Sequence, residues 1–245
     1  ADSPKKKRDL ELMSVDNLKR VVMDESCTKL RDLFKNHGLV GFMDPNNVLW
    51  ENSHELYVVH VPNFLKTFAY QRALFFMGNL DAVQLQHELP LQQLYSASRN
   101  FSADASMSAE KAVALLESKA DLLEDYFSLK IENGLLRSIP DILYRLKPTP
   151  AAYADLVWEL ANQVDWTEEE PCLRAVCEVL ANFISRRYFW CPEDKEAWQD
   201  CLEQHIFPRA KLTVLPPKCW LTDGTVQKLT DVSVLRRHFD CCQEF

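Results

Sequence analysis

Leu39-Val40-Gly41-Phe42-Met43, Asp44-Pro45-Asn46-Asn47, Val48-Leu49-Trp50 and, past a further polar turn, Leu56-Tyr57-Val58-Val59-His60-Val61 decide the fold class. Short apolar runs rich in β-branched and aromatic residues suit a pleated surface, and Asp, Pro and Asn between them favour tight reversals. The stretch predicts three antiparallel strands in a meander. Upstream, Leu18, Val21, Val22, Leu30, Leu33 and Phe34 recur at three- and four-residue steps. That spacing predicts a helix capped by Ser14 and closed by Gly38 after His37. Downstream, a helix over about 63–77 is apolar on nearly every side (Phe64, Leu65, Phe68, Leu74, Phe75, Phe76), as in a helix held between two layers.

Further along, residues 88–99 predict a short helix and 100–107 a loop. Ser108, with Lys111 after it, opens an amphipathic helix reaching about Phe127. Asn133-Gly134 between the runs 128–131 and 135–139 is a hairpin signal. Beyond Pro148 and Pro150 the pattern is helical over 151–164, 168–187 and 193–207. An irregular stretch then runs from Leu215 to a final amphipathic turn at Val234–Phe239. The reading is an α+β chain: a linker at 1–9, then one domain over 10–245. Within it a lobe over 39–147 holds a small antiparallel sheet packed with helices, and a helix-rich second lobe covers 148–245, with the termini shared between lobes.

The chain has 245 residues, 47% hydrophobic and 26% charged, which is globular usage with enough length for a sizeable core. Five glycines leave little for phosphate-cradling loops, and a net charge of −8 argues against a surface given over to nucleic acid while leaving room for a local basic patch. No apolar run has membrane-spanning length, and no h-region follows the charged start. Eight cysteines without a C-x-x-C pair read as reduced thiols of a nuclear or cytosolic protein. The run Pro4-Lys5-Lys6-Lys7-Arg8 has the form of a short nuclear-import signal; a solvated linker patch or a weak phosphate contact would use the same residues.

Residues with catalytic chemistry do not assemble into a known pattern. Cys201 and His205 stand four apart on a predicted helix, the spacing of two metal ligands, but no third ligand has characteristic spacing, so a half-buried thiol and an interfacial histidine are the expectation. Cys172 and Cys177, five apart, read as core packing. Gln86-His87-Glu88 point in different directions and read as a loop or helix start. No G-x-S-x-G, P-loop or H-E-x-x-H is present. Glu168-Glu169-Glu170 follow Trp166-Thr167, with Thr167 as N-cap; acidic residues there suit the helix dipole, and beside Trp166 they would also hold an arginine of a partner peptide.

Several features occur in an order that resembles a known family. They are Leu12-Met13-Ser14-Val15 after the basic linker, Lys119–Leu129 with the hairpin Lys130–Ile139, Leu160–Cys172, Leu215–Gly224, and His238-Phe239-Asp240-Cys241-Cys242. Over essentially its whole length the chain resembles the C-terminal domain of the eukaryotic MutL homologue that is the common subunit of MutL heterodimers in DNA mismatch repair. The resemblance implies pairing with a paralogous MutL subunit, postmeiotic-segregation-type or meiotic, and nuclear action with DNA contacted only weakly or indirectly. It implies that the paralogue carries the metal-dependent nicking site, whose motif of aspartate, histidine and spaced glutamates follows an apolar strand. Here the matching stretch from His60 to Gln71 has no carboxylate, so no cofactor of this chain's own is expected.

In the family the C-terminal cysteine reaches the partner's metals. The match places Phe239 on the family's aromatic and Cys242 on that cysteine, a ligand suited to zinc, although this chain runs on through Gln243-Glu244-Phe245. The resemblance also implies docking of short exonuclease and helicase peptides at Trp166, Glu168 and Glu169. The dimer face is expected at the helix-rich lobe and the final turn around Leu235 and Phe239. Two alternatives stand beside this reading: a nuclease half with a metal site from Cys201, His205 and Cys242, and an unrelated nuclear helical adaptor without a sheet at 39–61.

Overall fold

The computed structural model describes residues 10–102, 107–143, 148–187 and 195–231. They form two compact units, one drawn from residues 1–21 and 69–188, the other from 22–68 and 189–245. The class is α+β, with two small antiparallel sheets packed against helices. Each unit draws on two separated stretches, so the units differ from the lobes expected at 39–147 and 148–245. Pairing across long sequence separations, which local patterns do not reveal, draws the division.

In the unit holding 22–68, the meander is present: β1 (Gly38–Phe42), β2 (Asn47–Asn52) and β3 (Glu55–His60). A missing sheet here would have favoured the helical-adaptor alternative, and the strands remove that support. A fourth strand, β7 (Val226–Asp231), pairs antiparallel with β3, giving the order β1-β2-β3-β7. Residues 226–231 were expected to be irregular; only Val226 of the six is buried, so no alternation announces the strand. Val48 and Trp50 of β2, Tyr57 and Val59 of β3, and Val226 point to one face and are buried. At the far end of β3 the Glu55 carboxylate accepts from the Tyr57 hydroxyl and the Lys228 ammonium, tying β7 to the sheet. Burial, and then the Glu55 charge, push the Tyr57 hydroxyl up to about 12.

Against the buried face stands an aromatic cluster. Phe34 lies 4.8 Å from Trp50 and 5.2 Å from Trp220, and Phe207 lies 5.3 Å from Trp50 and 5.8 Å from Phe64. Burial of such rings stabilises by about 2–3 kcal/mol each, and edge or tilted pairs add about 0.5–1.5 kcal/mol. The helix expected from Ser14 to His37 is two helices, α1 (Met13–Glu25) and α2 (Thr28–Asn36). Between them the Cys27 N–H donates to Pro216 O at 2.8 Å and Ser26 bridges Pro217, which draws the backbone out of the helix. Gly38 starts β1 and does not close α2; His37 is already extended. Later in the chain, α9 (Lys195–Cys201) passes through a π-helical turn (Leu202–Ile206) into α10 (Phe207–Thr213). The wide turn precedes Pro208, which has no N–H to continue the α-helical ladder.

In the unit holding 69–188, β4 (Ala82–Pro90), β5 (Lys130–Glu132) and β6 (Leu135–Pro140) form a sheet of order β4-β6-β5. The expected hairpin is present, with Asn133 and Gly134 at φ 52° and 70°, the double left-handed turn that Asn-Gly favours. Gln86-His87-Glu88, expected as loop or helix start, lie in β4, where the pairing with β6 breaks between Gln84 and Leu89. α3 (Val61–Phe75) gives Phe64, Leu65 and Phe68 to the unit holding 22–68 and Ala69, Ala73 and Leu74 to this one, all buried, as its all-round apolar sequence demands. The amphipathic helix capped by Ser108 divides at Lys119 into α5 (Ala109–Ser118) and α6 (Ala120–Phe127), and Ser108 Oγ accepts from the Lys111 N–H. α4 (Leu91–Ala97) and α5 pack on α7 (Pro150–Asn162), which packs on α8 (Glu169–Arg187). Pro150 opens α7, where its missing N–H costs nothing. Cys172 and Cys177 are buried on α8, and burial pushes both thiols up.

Candidate functional site

Trp166 to Glu170 occupy the corner where the chain leaves α7 and enters α8. The Trp166 indole N–H donates to Leu160 O at 3.2 Å, which fixes the ring's edge and leaves the ring half-buried. Asp165 Oδ1 accepts from the Thr167 N–H at 3.0 Å and the Thr167 hydroxyl at 2.6 Å, and those bonds hold the Asp165 carboxyl below its usual range. Thr167, expected as N-cap, therefore turns its hydroxyl back to Asp165.

The carboxylates that follow reach α1. Ser14 Oγ donates to Glu169 Oε1 at 2.5 Å, so Ser14, expected to cap its own helix, serves α8 instead. Asn17 Nδ2 donates to Glu170 Oε2 at 3.3 Å, and Arg174 Nη2 pairs with Glu170 Oε1 at 3.1 Å. Lys119, at the break between α5 and α6, places its ammonium 5.9 Å from the centre of the Trp166 ring, within cation–π range. Glu168 and Glu169 are exposed. Glu169 and Glu170 begin α8, where the helix dipole favours negative charge, with Glu168 just before them, and the corner combines an aromatic face with carboxylates, a set that takes a cationic side chain.

The other expected residues are dispersed. Cys201 ends α9 half-buried and His205 is exposed on the π-helical turn; burial pushes the Cys201 thiol up, with Arg209 opposing. Among the described residues, no three His, Cys, Asp or Glu side chains are placed to hold a metal ion. The stretch His60–Gln71 ends β3 and builds the buried side of α3. Lys5, Lys6, Lys7, Arg8, Leu235, Phe239 and Cys242 lie outside the described residues. No helix among the described residues is long and apolar enough to cross a membrane.

A second surface was not anticipated in the sequence. On the face of the β1-β2-β3-β7 sheet opposite Trp50 and Val59, the pairs Gly41↔Leu49, Leu49↔Val58 and Val58↔Gln227 form one row across the strands. Glu51, Leu56 and Thr230 lie in the next, with Gly38 opposite Glu51. Leu49, Leu56 and Val58 are half-buried, while Val40, at the β1 bulge, is 52% exposed.

Residues 11–242 match the family model described as DNA mismatch repair protein Mlh1 C-terminus. The chain belongs to this family. Relatives of the Mlh1 C-terminal chain include the putative MutL protein homolog 1 of Schizosaccharomyces pombe, 26% identical over 95% of this chain and 35% of its own length. The DNA mismatch repair protein Mlh1 of Dictyostelium discoideum is 23% identical over 97% of this chain and 30% of its own, and that of Saccharomyces cerevisiae 24% over 98% and 35%. The chain spans about a third of the length of these relatives. In this Mlh1 C-terminal fold, Ser14 and Lys119 join Glu169 and Trp166, and Asn17 joins Glu170, and the sequence pattern links none of the three to the corner. These lie far from the corner along the chain, and no local pattern could have marked them.

Proposed function

We propose that this is the pairing and recruiting domain of a mismatch-repair MutL subunit, acting in the nucleus, and that it joins a paralogous MutL subunit, postmeiotic-segregation-type or meiotic, through the open face of the β1-β2-β3-β7 sheet. The observation that carries the reading is that face. Glycines at 38 and 41 leave the backbone of β1 bare at those two positions, Leu49, Leu56 and Val58 supply apolar contact, and Glu51 is the single charge in the two rows. A face of low charge with apolar rows loses little polar hydration on burial, as the centre of a protein interface requires. Leu235 and Phe239 follow β7 along the chain and are part of the proposed contact.

In this reading the chain is non-catalytic and the partner bears the metals. Between His60 and Gln71 there is one imidazole and no carboxylate, and Phe64, Leu65, Phe68 and Ala69 are buried, a set that does not fit divalent-metal ligation. The chain's own contribution to a zinc site on the partner is the Cys242 thiolate. Trp166, Glu168 and Glu169 receive arginine-bearing peptides of repair exonucleases and helicases.

Co-expression with a paralogue's C-terminal domain, followed by size-exclusion chromatography, tests the pairing. The expected result is a co-eluting heterodimer that Leu49→Glu with Val58→Glu dissociates while far-UV circular dichroism stays unchanged. A heterodimer indifferent to both substitutions overturns the sheet face as the contact, and a chain that remains monomeric beside each paralogue overturns the function.

A further inference from the structure

The two anchors of the α8 corner are already taken from within the same unit. Trp166 holds the Lys119 ammonium 5.9 Å from its ring centre, and Glu169 holds the Ser14 hydroxyl at 2.5 Å. Neighbouring Glu170 is engaged twice, by Asn17 at 3.3 Å and Arg174 at 3.1 Å. A cation seated on the ring and a donor seated on the carboxylate are the two contacts that an arginine side chain makes at once. We infer that the corner is self-capped, with Lys119 and Ser14 standing in for the arginine of a docking peptide, and that the cap sets a threshold which arginine passes and lysine does not. This rests on the docking role proposed above for Trp166 and Glu169.

The chemistry of the two cations gives the threshold its direction. Lysine carries a compact, strongly hydrated point charge. Arginine carries a planar, weakly hydrated fork that lies flat on an aromatic ring and pairs with a carboxylate through two parallel bonds. A peptide lysine arriving at Trp166 exchanges like for like against Lys119, which is tethered and has no association entropy to lose. A peptide arginine replaces a ring contact near the limit of cation–π range with a stacked one, and exchanges the neutral Ser14 donor on Glu169 for a charged pair. Lys119 is well placed for release. It is the junction residue between α5 and α6, with its side chain half-buried and its backbone N–H satisfied by Leu116 O. Its departure therefore breaks no helix hydrogen bond.

The test is calorimetric titration of the purified chain with a short synthetic peptide carrying one arginine between phenylalanine and tyrosine, and with the same peptide carrying lysine. Lys119→Met and Ser14→Ala are each expected to tighten the arginine peptide about two- to five-fold, the worth of one exposed contact. Lys119→Met is also expected to narrow the preference for arginine over lysine. Trp166→Ala and Glu169→Gln are expected to weaken binding. If Lys119→Met and Ser14→Ala leave affinity unchanged or lower it while Trp166→Ala and Glu169→Gln weaken it, self-capping is wrong and the docking site stands. If the chain does not bind the arginine peptide, or binds it equally well with Trp166→Ala and Glu169→Gln, the docking site is wrong and the cap falls with it. Circular dichroism of each variant separates loss of binding from loss of fold, and Glu169→Gln, at an exposed position, keeps the test standing should Trp166→Ala unfold.

Discussion

His37 lies flat on Trp50, ring centroids 3.6 Å apart and planes 9° from parallel, and the pair is sealed inside an aromatic cluster. His37 is 3% exposed; its Nδ1–H donates to Phe34 O at 2.6 Å, and its own carbonyl accepts from Lys211 Nζ at 2.6 Å. An imidazole in that position is neutral by construction. Burial holds its pKa down at about 4, against an opposing push from the Phe34 carbonyl, and the nearby Lys211 charge lowers it further.

Stability should therefore fall with acid in a defined window. The unfolded chain takes up a proton near pH 6.5 and the folded chain only near pH 4, so the contribution of a neutral His37 is complete above about pH 6.5 and is lost as pH drops toward 4. The two values differ enough to cost up to about 3 kcal/mol across that window. Urea unfolding between pH 7 and pH 4 measures it. His37→Phe should flatten the curve there, and an unchanged slope would assign the acid sensitivity to other groups.

Phe34→Ala should be among the most destabilising single changes in its unit, at about 3–5 kcal/mol, because the ring touches Trp50, Phe64 and Trp220 and its loss leaves a cavity between rigid rings. Val21→Ala, at a residue 50% exposed, should stay within about 0.5 kcal/mol. Chemical denaturation of both variants reads the contrast.

Ser98→Ala should cost about 1–3 kcal/mol, since it removes a short bond to a buried carboxylate. Asp155 is 3% exposed and accepts from Ser98 Oγ at 2.7 Å, with the Arg99 N–H at 3.2 Å and Arg99 Nη2 at 3.5 Å. Thermal unfolding should show a lower midpoint that Ser98→Thr partly restores.

The β2–β3 turn offers a gain. Ser53 and His54 both sit at positive φ, 51° and 70°, where side chains are disfavoured. His54→Gly should raise stability by up to about 1 kcal/mol once the added freedom of the unfolded glycine is discounted. Gly134→Ala, at φ 70° in the other hairpin, should move stability the opposite way. Equal and unchanged midpoints for both would show that neither turn carries strain.

What the sequence disclosed and what it concealed divides along physical lines. The meander, the Asn133-Gly134 hairpin, the Ser108 cap and the Pro150 helix start are local events, encoded in a few adjacent residues. The break at Ser26-Cys27 is not local, because the partner that pulls the backbone aside is Pro216-Pro217. Strand β4 carries a long interruption in its pairing, and β7 is an edge strand with exposed side chains, so neither shows a clean period of two. At the α8 corner, Trp166 and Glu169 were legible because an aromatic beside acids is a chemical statement in itself. Ser14 meets Glu169 from 155 positions away, and only the fold brings them together.

The closing of the sheet by β7 has a consequence for how the chain is made. Lys228 reaches Glu55 across 173 positions, so on a translating ribosome β3 waits roughly nine to thirty-five seconds for the strand that covers its edge. During that interval β3 presents an unpaired ladder of N–H and C=O groups, the kind of edge that recruits stray strands from other chains. Nascent chains of this protein should accordingly be most vulnerable to mispairing in the interval between the synthesis of β3 and that of β7, and a message cut short before Val226 would leave β3 bare for good.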